Sequence, residues 1–451
     1  MSMNLMNAFA MTKAYNQRIP SPTAKQNKHY QSRQLLLFIM IRVAILGCGM
    51  MGQEHISYIN KYDSLSIAFL CDPNKESLDT AQAMAACSPA TFQNENELLD
   101  HVNDIDLLVI ASPNFMHTPQ LLRWGQHHIT ILCEKPAAIS EKQVAALKAA
   151  QPNLKANIWV AMEYRFMPAI NKLVQLLPHI GPIKKVAIRE NRYPFLTKIE
   201  EWNKDVDKSG DTLVEKCCHF FDLFRLITAK EMTSCVSKDH YGYDETADNA
   251  TPIIDSAYVL LDFEPDAPGT NATQQSILGC LELCMFAEGS RHQEEIIVTG
   301  MRGRLEAYLP ENKVFLYQRP TTLWTDKSKP PPQGSFSEEV YDCSDLRQVY
   351  DFVDELPTMH AGYHYCSTAI EWKYLIDAMN DAARGEKFVP KVSLDDGIKA
   401  VEMGIASLNN ITNGGSTPRR VTAHSTKSAE NLLDLVLNSA VIDELKLNVL
   451  Q

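Results

Sequence analysis

Two short stretches of this chain carry side chains that could hold a substrate oxygen and move a proton. Lys135 lies in Glu134-Lys135-Pro136, directly after the apolar run Ile129-Thr130-Ile131-Leu132-Cys133. Ligands of open α/β sheets sit outside the carboxyl ends of the strands. A lysine there can donate to a substrate hydroxyl and help hold a developing alkoxide. Glu215 and His219 are four residues apart in Gly210-Asp211-Thr212-Leu213-Val214-Glu215-Lys216-Cys217-Cys218-His219-Phe220-Phe221-Asp222. On one predicted helix, Glu215 to Leu226, that spacing puts both on one face, with Asp222 a turn further along. A carboxylate one turn from a histidine can fix its tautomer and raise its basicity. His219 could then take a hydroxyl proton as a hydride leaves. The plain alternatives are a surface lysine before a turn proline and a half-buried histidine bonded to a helix neighbour. Cys217 and Cys218 beside His219 hint at a metal. Adjacent cysteines do not easily share one tetrahedral zinc, and no second cluster is spaced to help, so no metal is expected.

A second constellation lies upstream. Val43-Ala44-Ile45-Leu46 leads into Gly47-x-Gly49-x-x-Gly52, with Met50 and Met51 opening a helical stretch. Another apolar run, Ser66 to Cys71, ends in Asp72. Gly47 allows the tight turn, Gly49 lets a pyrophosphate approach the backbone, and Gly52 lets the helix pack close to the sheet. The helix N-terminus offers free N–H groups to phosphates. Asp72 would accept from an adenosine ribose 2′-OH and repel a 2′-phosphate, which favours NAD. Lys75, close by, leaves NADP as the alternative. Further strand ends place Ser112, Pro113, Asn114 and His117, and then Glu134 and Lys135, at the same edge. Together with Gly47, Gly49, Met50, Met51, Gly52 and Asp72 they form the expected cofactor-binding set.

The elements that would position these groups follow from the hydrophobic pattern. Helices at Lys75–Ala86, Glu95–His101, His117–His128 and Glu141–Ala150 alternate with strands at Asp106–Ala111, Ile129–Cys133 and Ile158–Met162. This βαβ rhythm makes residues 41–162 a Rossmann domain with a doubly wound parallel sheet. From 163 to 411 the pattern changes. Helices at Pro168–Leu177, Thr368–Arg384 and Ser393–Leu408 accompany strands at Ile183–Asn191, Ile254–Phe263, Ser276–Phe286, Glu294–Thr299, Gly303–Tyr308 and Lys313–Tyr317. An α+β domain with a large, mainly antiparallel open sheet is expected. Lys327 to Gly334 is a loop. Residues 412–451 hold a linker and an amphipathic helix, Glu430 to Leu447, which packs on its own chain or on a second copy. Tyr193, Trp202 and Asn203 precede the His219 helix and could line a substrate pocket, though core packing explains them nearly as well. Asp211 caps that helix or touches substrate. Tyr363 and His364 could close the pocket.

Composition bounds the rest. The chain has 451 residues, 45% hydrophobic and 22% charged, which suits ordinary globular domains with large cores. A net charge of −12 argues against nucleic acid as a partner. The apolar run Leu35 to Ile41 is far short of the ~20 residues a membrane helix needs. The eleven cysteines are scattered and include no Cys-x-x-Cys pair, which fits a reducing, cytoplasmic setting. Residues 1–40 form a basic, acid-free extension expected to be disordered. It is read either as an organelle transit peptide or as sequence upstream of a start at Met40.

These motifs together resemble the Gfo/Idh/MocA oxidoreductase family. The resemblance runs from about Ile41 to Leu408. It rests on the glycine fingerprint and Asp72, Ala111-Ser112-Pro113-Asn114 with His117, Glu134-Lys135-Pro136, and Tyr164-Arg165-Phe166. The block from Glu215 to Asp222, Gly300-x-x-Gly303-Arg304-Leu305-Glu306 and Val392-Ser393-Leu394-Asp395-Asp396-Gly397 complete it. It implies that Lys135, Glu215 and His219 are the catalytic set of an NAD-dependent dehydrogenase of a cyclitol or sugar. It also implies that the second sheet builds the substrate pocket, with Tyr164 and Arg165 near it, and the contact of a homo-oligomer, a dimer or tetramer. Two departures stand out. Members usually carry Asp at Glu215, and many carry Gly-Gly where this chain has Gly210-Asp211. Some relatives cleave glycosides with NAD as a recycled redox cofactor, and others are non-catalytic dinucleotide-binding regulators. The joint presence of Lys135, Glu215 and His219 speaks against the last of these.

Overall fold

Apolar runs rich in Ile, Val and Leu, buried on both faces, become the first sheet. In this computed structural model the described residues are 40–240, 253–264, 276–319, 328–330, 337–356 and 365–413. The 1–39 extension, His364 with Tyr363, residues 414–451 with the expected terminal helix, and most of the Lys327–Gly334 loop lie outside them. By its contacts the chain from Ile41 onward is one unit, and the description concerns that unit. Strands β1 (Ile41–Leu46), β2 (Leu65–Cys71), β3 (Ala90–Phe92), β4 (Leu107–Ile110), β5 (Thr130–Glu134) and β6 (Asn157–Ala161) form a parallel sheet of order β3-β2-β1-β4-β5-β6. This is the doubly wound order whose switch point lies between β1 and β4. Helices α1 (Met50–Ile59), α2 (Lys75–Met84), α3 (Glu95–Leu99), α4 (Asn114–Trp124) and α5 (Glu141–Ala150) connect it. The expected helix at His117–His128 starts three residues earlier, because Pro113 fits the turn before the first helical residue. The short edge strand β3 carried no alternation long enough to announce itself.

Helix α6 (Pro168–Leu176) leads to β7 (Ile183–Asn191). Three helices follow, α7 (Val206–Ser209), α8 (Thr212–Glu215) and α9 (Cys218–Thr228). Then come β8 (Met232–His240), β9 (Ser256–Phe263), β10 (Ile277–Cys284), β11 (Glu294–Gly300), β12 (Gly303–Leu309), β13 (Lys313–Gln318) and β14 (Ser337–Asp342). With β7 they make an eight-stranded sheet of order β14-β13-β12-β11-β7-β10-β9-β8. Only the β7–β10 pairing is parallel. Alternate residues of β9 to β12 are buried, so one face of this sheet packs on the helices. The core joins Phe220, Phe221 and Phe224 of α9 to Phe263 and to Trp159 and Trp372.

Helices α10 (Ser367–Ala383) and α11 (Leu394–Asn413) return to the first sheet. The Trp372 indole N–H donates to His55 Nδ1 at 3.2 Å, and His55 Nε2 lies 2.9 Å from Glu134 Oε1. The Tyr62 hydroxyl donates to the Ala369 carbonyl at 2.9 Å. Helix α10 thus braces Glu134, next to Lys135. Among the described residues no helix is long and apolar enough to cross a membrane.

Candidate active site

The glycine turn has two structural glycines and one that leaves room. Gly47 has φ +98°, and a Cβ there would lie 2.4 Å from the Ser112 nitrogen. A Cβ on Gly52 would lie 2.1 Å from the Gly47 carbonyl oxygen. These two let β1, α1 and the end of β4 converge. A Cβ on Gly49 would meet nothing within 4 Å. Gly49 is also the N-cap of α1, with no side chain capping the free N–H groups. Open space against an uncapped helix N-terminus fits a dinucleotide pyrophosphate. Asp72 accepts from the Cys48 and Asn74 N–H groups, both at 2.7 Å, which fixes its carboxylate beside that turn. Met50, 51% exposed, and Met51 open α1 at the same place.

The β4 end is held by side-chain hydrogen bonds. The Ser112 hydroxyl donates to Gln120 Oε1 at 2.6 Å. Asn114 is buried and its side-chain amide faces the Ser209 carbonyl at 3.4 Å. His117 is buried, with Nδ1 2.8 Å from the Pro136 carbonyl oxygen and Nε2 2.8 Å from that of Ser112. Burial holds its pKa down, against the pull of both carbonyls. His117 therefore ties two strand-end loops together, one of them next to Lys135.

Lys135 and Glu215 meet. The Lys135 ammonium lies 3.0 Å from the Glu215 carbonyl oxygen and 3.4 Å from its Oε1. Burial alone would lower the Lys135 pKa, but the carboxylates of Glu215, Glu163 and Glu134 outweigh it and hold the ammonium above its usual range. Burial pushes Glu215 up, and Lys135, Lys198, Lys216 and Arg192 reverse this and bring it to about 2.

The expected single helix from Glu215 to Leu226 is broken. Helix α8 ends at Glu215 and α9 begins at Cys218. The break has a cause in the hydrogen bonds made there. The Glu215 carbonyl, which a continuous helix would offer to the His219 N–H, faces the Lys135 ammonium and the Cys218 thiol, and the Cys217 N–H turns back to Thr212. Glu215 and His219 are thus set by two helices rather than one face.

The partner expected for His219 also differs. Asp222 receives two hydrogen bonds from Arg165, at 2.5 and 2.6 Å. The guanidinium outcompetes the histidine because its fork matches a carboxylate. The carboxylate beside His219 is Glu163, with Oε1 3.5 Å from Nε2. The Tyr164 ring stacks on the imidazole at 4.3 Å between centroids and 12° between planes. Tyr164 donates its hydroxyl to Glu294 at 3.0 Å and accepts from Lys216 at 2.5 Å. Arg165 is committed to Asp222 and to the Lys391 carbonyl. Asp211 caps α8 through the Thr212 N–H at 2.7 Å and receives the Ile254 N–H at 2.9 Å. Asn203 is buried and donates to the Leu196 carbonyl. Tyr193 lies under the Arg192 guanidinium, and Trp202 under the Lys198 ammonium at 4.5 Å.

Sequence reasoning missed Glu163, Glu190, Arg192, Lys198, Lys216, Glu294 and Glu371. Glu163 had a signal, since it follows β6 as Lys135 follows β5. The others come from β7 and the loop after it, the break between α8 and α9, β11 and α10. Lys216 bridges Tyr164 and Glu190, 3.2 Å from the latter. Burial and the charge of Glu163 push the Glu371 carboxyl well up. Among the described residues no group of three His, Cys, Asp or Glu could hold a metal ion.

Glu190 makes a testable case. It is fully buried, and burial pushes its carboxyl up to about 7, with Lys216 pulling the other way. An unfolded glutamate titrates near 4.5. Between these values the folded protein holds a proton that the unfolded chain has released, so Glu190 makes stability rise as pH falls from about 7.5 to 4.5. In Glu190→Gln that rise should shrink by on the order of 1–3 kcal/mol, read as unfolding midpoints at several pH values. Parallel curves for the two proteins would refute it.

Residues 41–162 match the description "Oxidoreductase family, NAD-binding Rossmann fold", and residues 176–418 match "Oxidoreductase family, C-terminal alpha/beta domain". The chain belongs to the Gfo/Idh/MocA oxidoreductase family. Its relatives include the inositol 2-dehydrogenase of Rhizobium meliloti, 23% identical over 69% of this chain and 88% of that protein. The glucose-6-phosphate 3-dehydrogenase of Bacillus subtilis is 24% identical over 41% of this chain. The chain spans about half the length of that enzyme, 53%. A levoglucosan dehydrogenase solved with NADH and levoglucosan shares the fold, with a TM-score of 0.66 at 16% identity over 83% of this chain and 97% of that one. So does an oxidoreductase domain protein from Kribbella flavida, with a TM-score of 0.65 at 20% identity over 83% and 97%.

Proposed function

We propose that this chain is an NAD-dependent dehydrogenase of a secondary alcohol on a cyclitol or sugar. The observation that carries the proposal is the Lys135–Glu215 contact at the end of β5, with Glu163, the carboxylate beside His219, acting on the same ammonium. His219 takes the hydroxyl proton. Lys135 donates to the same oxygen and holds the negative charge that develops there. Glu215 keeps the ammonium charged and aimed. Glu163 and the stacked Tyr164 ring orient the imidazole. NAD, when bound, supplies the hydride acceptor. Gly47, Gly49 and Gly52 with the α1 N-terminus would hold its phosphates, and Asp72 its ribose. The preference for NAD over NADP is supported by the fixed Asp72 carboxylate and by Lys75, whose ammonium is paired with Asp79 at 2.7 Å.

Relatives are named for inositol, for a sugar phosphate and for an anhydrosugar-like compound, levoglucosan, so the substrate panel must be broad. The test is NADH formation by the full chain with NAD and a panel of inositols, sugars, sugar acids and sugar phosphates. Absorbance growth at 340 nm with at least one member is expected. No member oxidised, with NAD bound, would overturn the dehydrogenase reading. Sugar released from a glycoside without net NADH would replace it with redox-cycled cleavage.

A further inference from the structure

We propose that the substrate carries an anionic group, a carboxylate or a phosphate, and that Lys198 and Arg192 bind it. The inference rests on the dehydrogenase reading for where the substrate lies, and it concerns two cations that reading leaves without a task.

Both sit around Glu215. The Lys198 ammonium is 3.9 Å from Glu215 Oε1 and lies over the Trp202 ring. That distance is beyond a hydrogen bond. An ammonium has three donors, and among the described residues Lys198 satisfies none of them with a side-chain hydrogen bond. Arg192 is in the same condition. Its Nη1 is 3.6 Å from Glu190 Oε1, again beyond a hydrogen bond, and its Nε is buried with no partner. Burial lowers the Lys198 pKa, and Arg192 and Lys135 add to the drop, while Glu215 opposes it. The two cations therefore feel one another, while burial at Arg192 is outweighed, chiefly by Glu190, and its guanidinium stays charged.

What reaches the open surface of the site is also one-sided. The side chains of Lys198, Arg192 and Lys135 are 24%, 16% and 15% exposed, whereas those of Glu215 and Glu190 are 4% and 0% exposed. The acids lie behind and the cations in front. Lys135 has a task in holding the reacting oxygen. Lys198 and Arg192 do not touch the expected proton path. Under-donated cations grouped at a partly buried site are costly unless an anion joins them. A neutral polyol would supply hydroxyl acceptors but no charge. An arginine fork beside a lysine suits the planar or tripodal oxygens of a carboxylate or phosphate. The aromatic faces of Tyr193 and Trp202, which carry these two cations, add a wall against which a sugar ring can pack.

The test uses matched probes on the full chain loaded with NADH: glucose, glucuronate and glucose 6-phosphate, and myo-inositol with its 1-phosphate. Binding is read by calorimetry. At least one anionic member should bind tighter than its neutral counterpart by roughly 10- to 100-fold. Lys198→Met should erase most of that ratio, and Lys198→Arg should keep it. Phosphate and carboxylate members separate the two sources of the anion. Equal binding of neutral and anionic members overturns the proposal, as does an absence of anion binding or an undiminished ratio in Lys198→Met. Anion binding without NADH formation from NAD would sink the dehydrogenase reading and leave this inference standing. Oxidation of neutral sugars alone would do the reverse.

Discussion

His219→Ala should lower kcat by roughly 10²- to 10⁴-fold on the sugar that the parent oxidises, with NAD affinity unchanged. The argument is geometric. His219 is 3% exposed, lies flat against the Tyr164 ring and has Glu163 as its neighbouring carboxylate. None of these partners belongs to the glycine turn or to Asp72, so deleting the imidazole should not disturb the dinucleotide. Lys135 and Glu215 keep their contact in the variant, since it runs through the Glu215 backbone and carboxylate and not through His219. The residual rate is what charge stabilisation by Lys135 supplies alone. NADH binding by fluorescence transfer from tryptophan, together with kcat over pH 5 to 9, checks both halves. Unchanged turnover would assign the base elsewhere.

How much of this was visible beforehand depends on the range of the forces involved. The glycine turn was legible because local backbone geometry dictates it. Gly47 and Gly52 are glycines because neighbouring backbone occupies the space a Cβ would need. The parallel sheet was legible because its buried strands read as unbroken apolar runs. Lys135 and Glu215, which the family resemblance groups, lie in contact. The helix across Glu215 and His219 was not legible. Its break is made by a lysine 80 residues away that occupies a helix carbonyl, and periodicity within one segment carries no trace of that. The same holds for Asp222. Spacing offered it to His219, and an arginine 57 residues upstream took it. Tyr164, which the resemblance puts near the pocket, packs face to face with His219, a contact that no local pattern spells out. Lys198 and Arg192 lie where no period runs, on a strand end and its following loop. Long-range electrostatic competition, rather than propensity, separates the sequence reading from the site.

Arg165→Ala should cost about 3–5 kcal/mol of stability, because it strands a buried carboxylate. Asp222 is fully buried, and burial pushes its carboxyl up against the opposing pull of Arg165. The guanidinium gives it two hydrogen bonds, gives a third at 2.9 Å to the Lys391 carbonyl, and stands 3.6 Å from Asp396. Asp396 in turn takes Arg225 at 3.0 Å, and Arg225 grips Glu231 through two nitrogens. This chain of charges joins the turn after β6, α9, α11 and the start of β8. Arg165 is adjacent to Tyr164 and Glu163, while Asp222 is one turn from His219, so the pair also sets the stack between Tyr164 and His219. Loss of the arginine should therefore lower both the denaturation midpoint and kcat. Arg165→Lys, which keeps the charge without the fork, should recover only part of either. The double variant Arg165→Met with Asp222→Leu separates the causes. It removes the stranded charge, so it should regain much of the stability while leaving catalysis impaired by a loosened imidazole. If Arg165→Ala shifts the midpoint by less than about 1 kcal/mol, the pair behaves like an exposed one, and its place in the core contributes nothing to the fold.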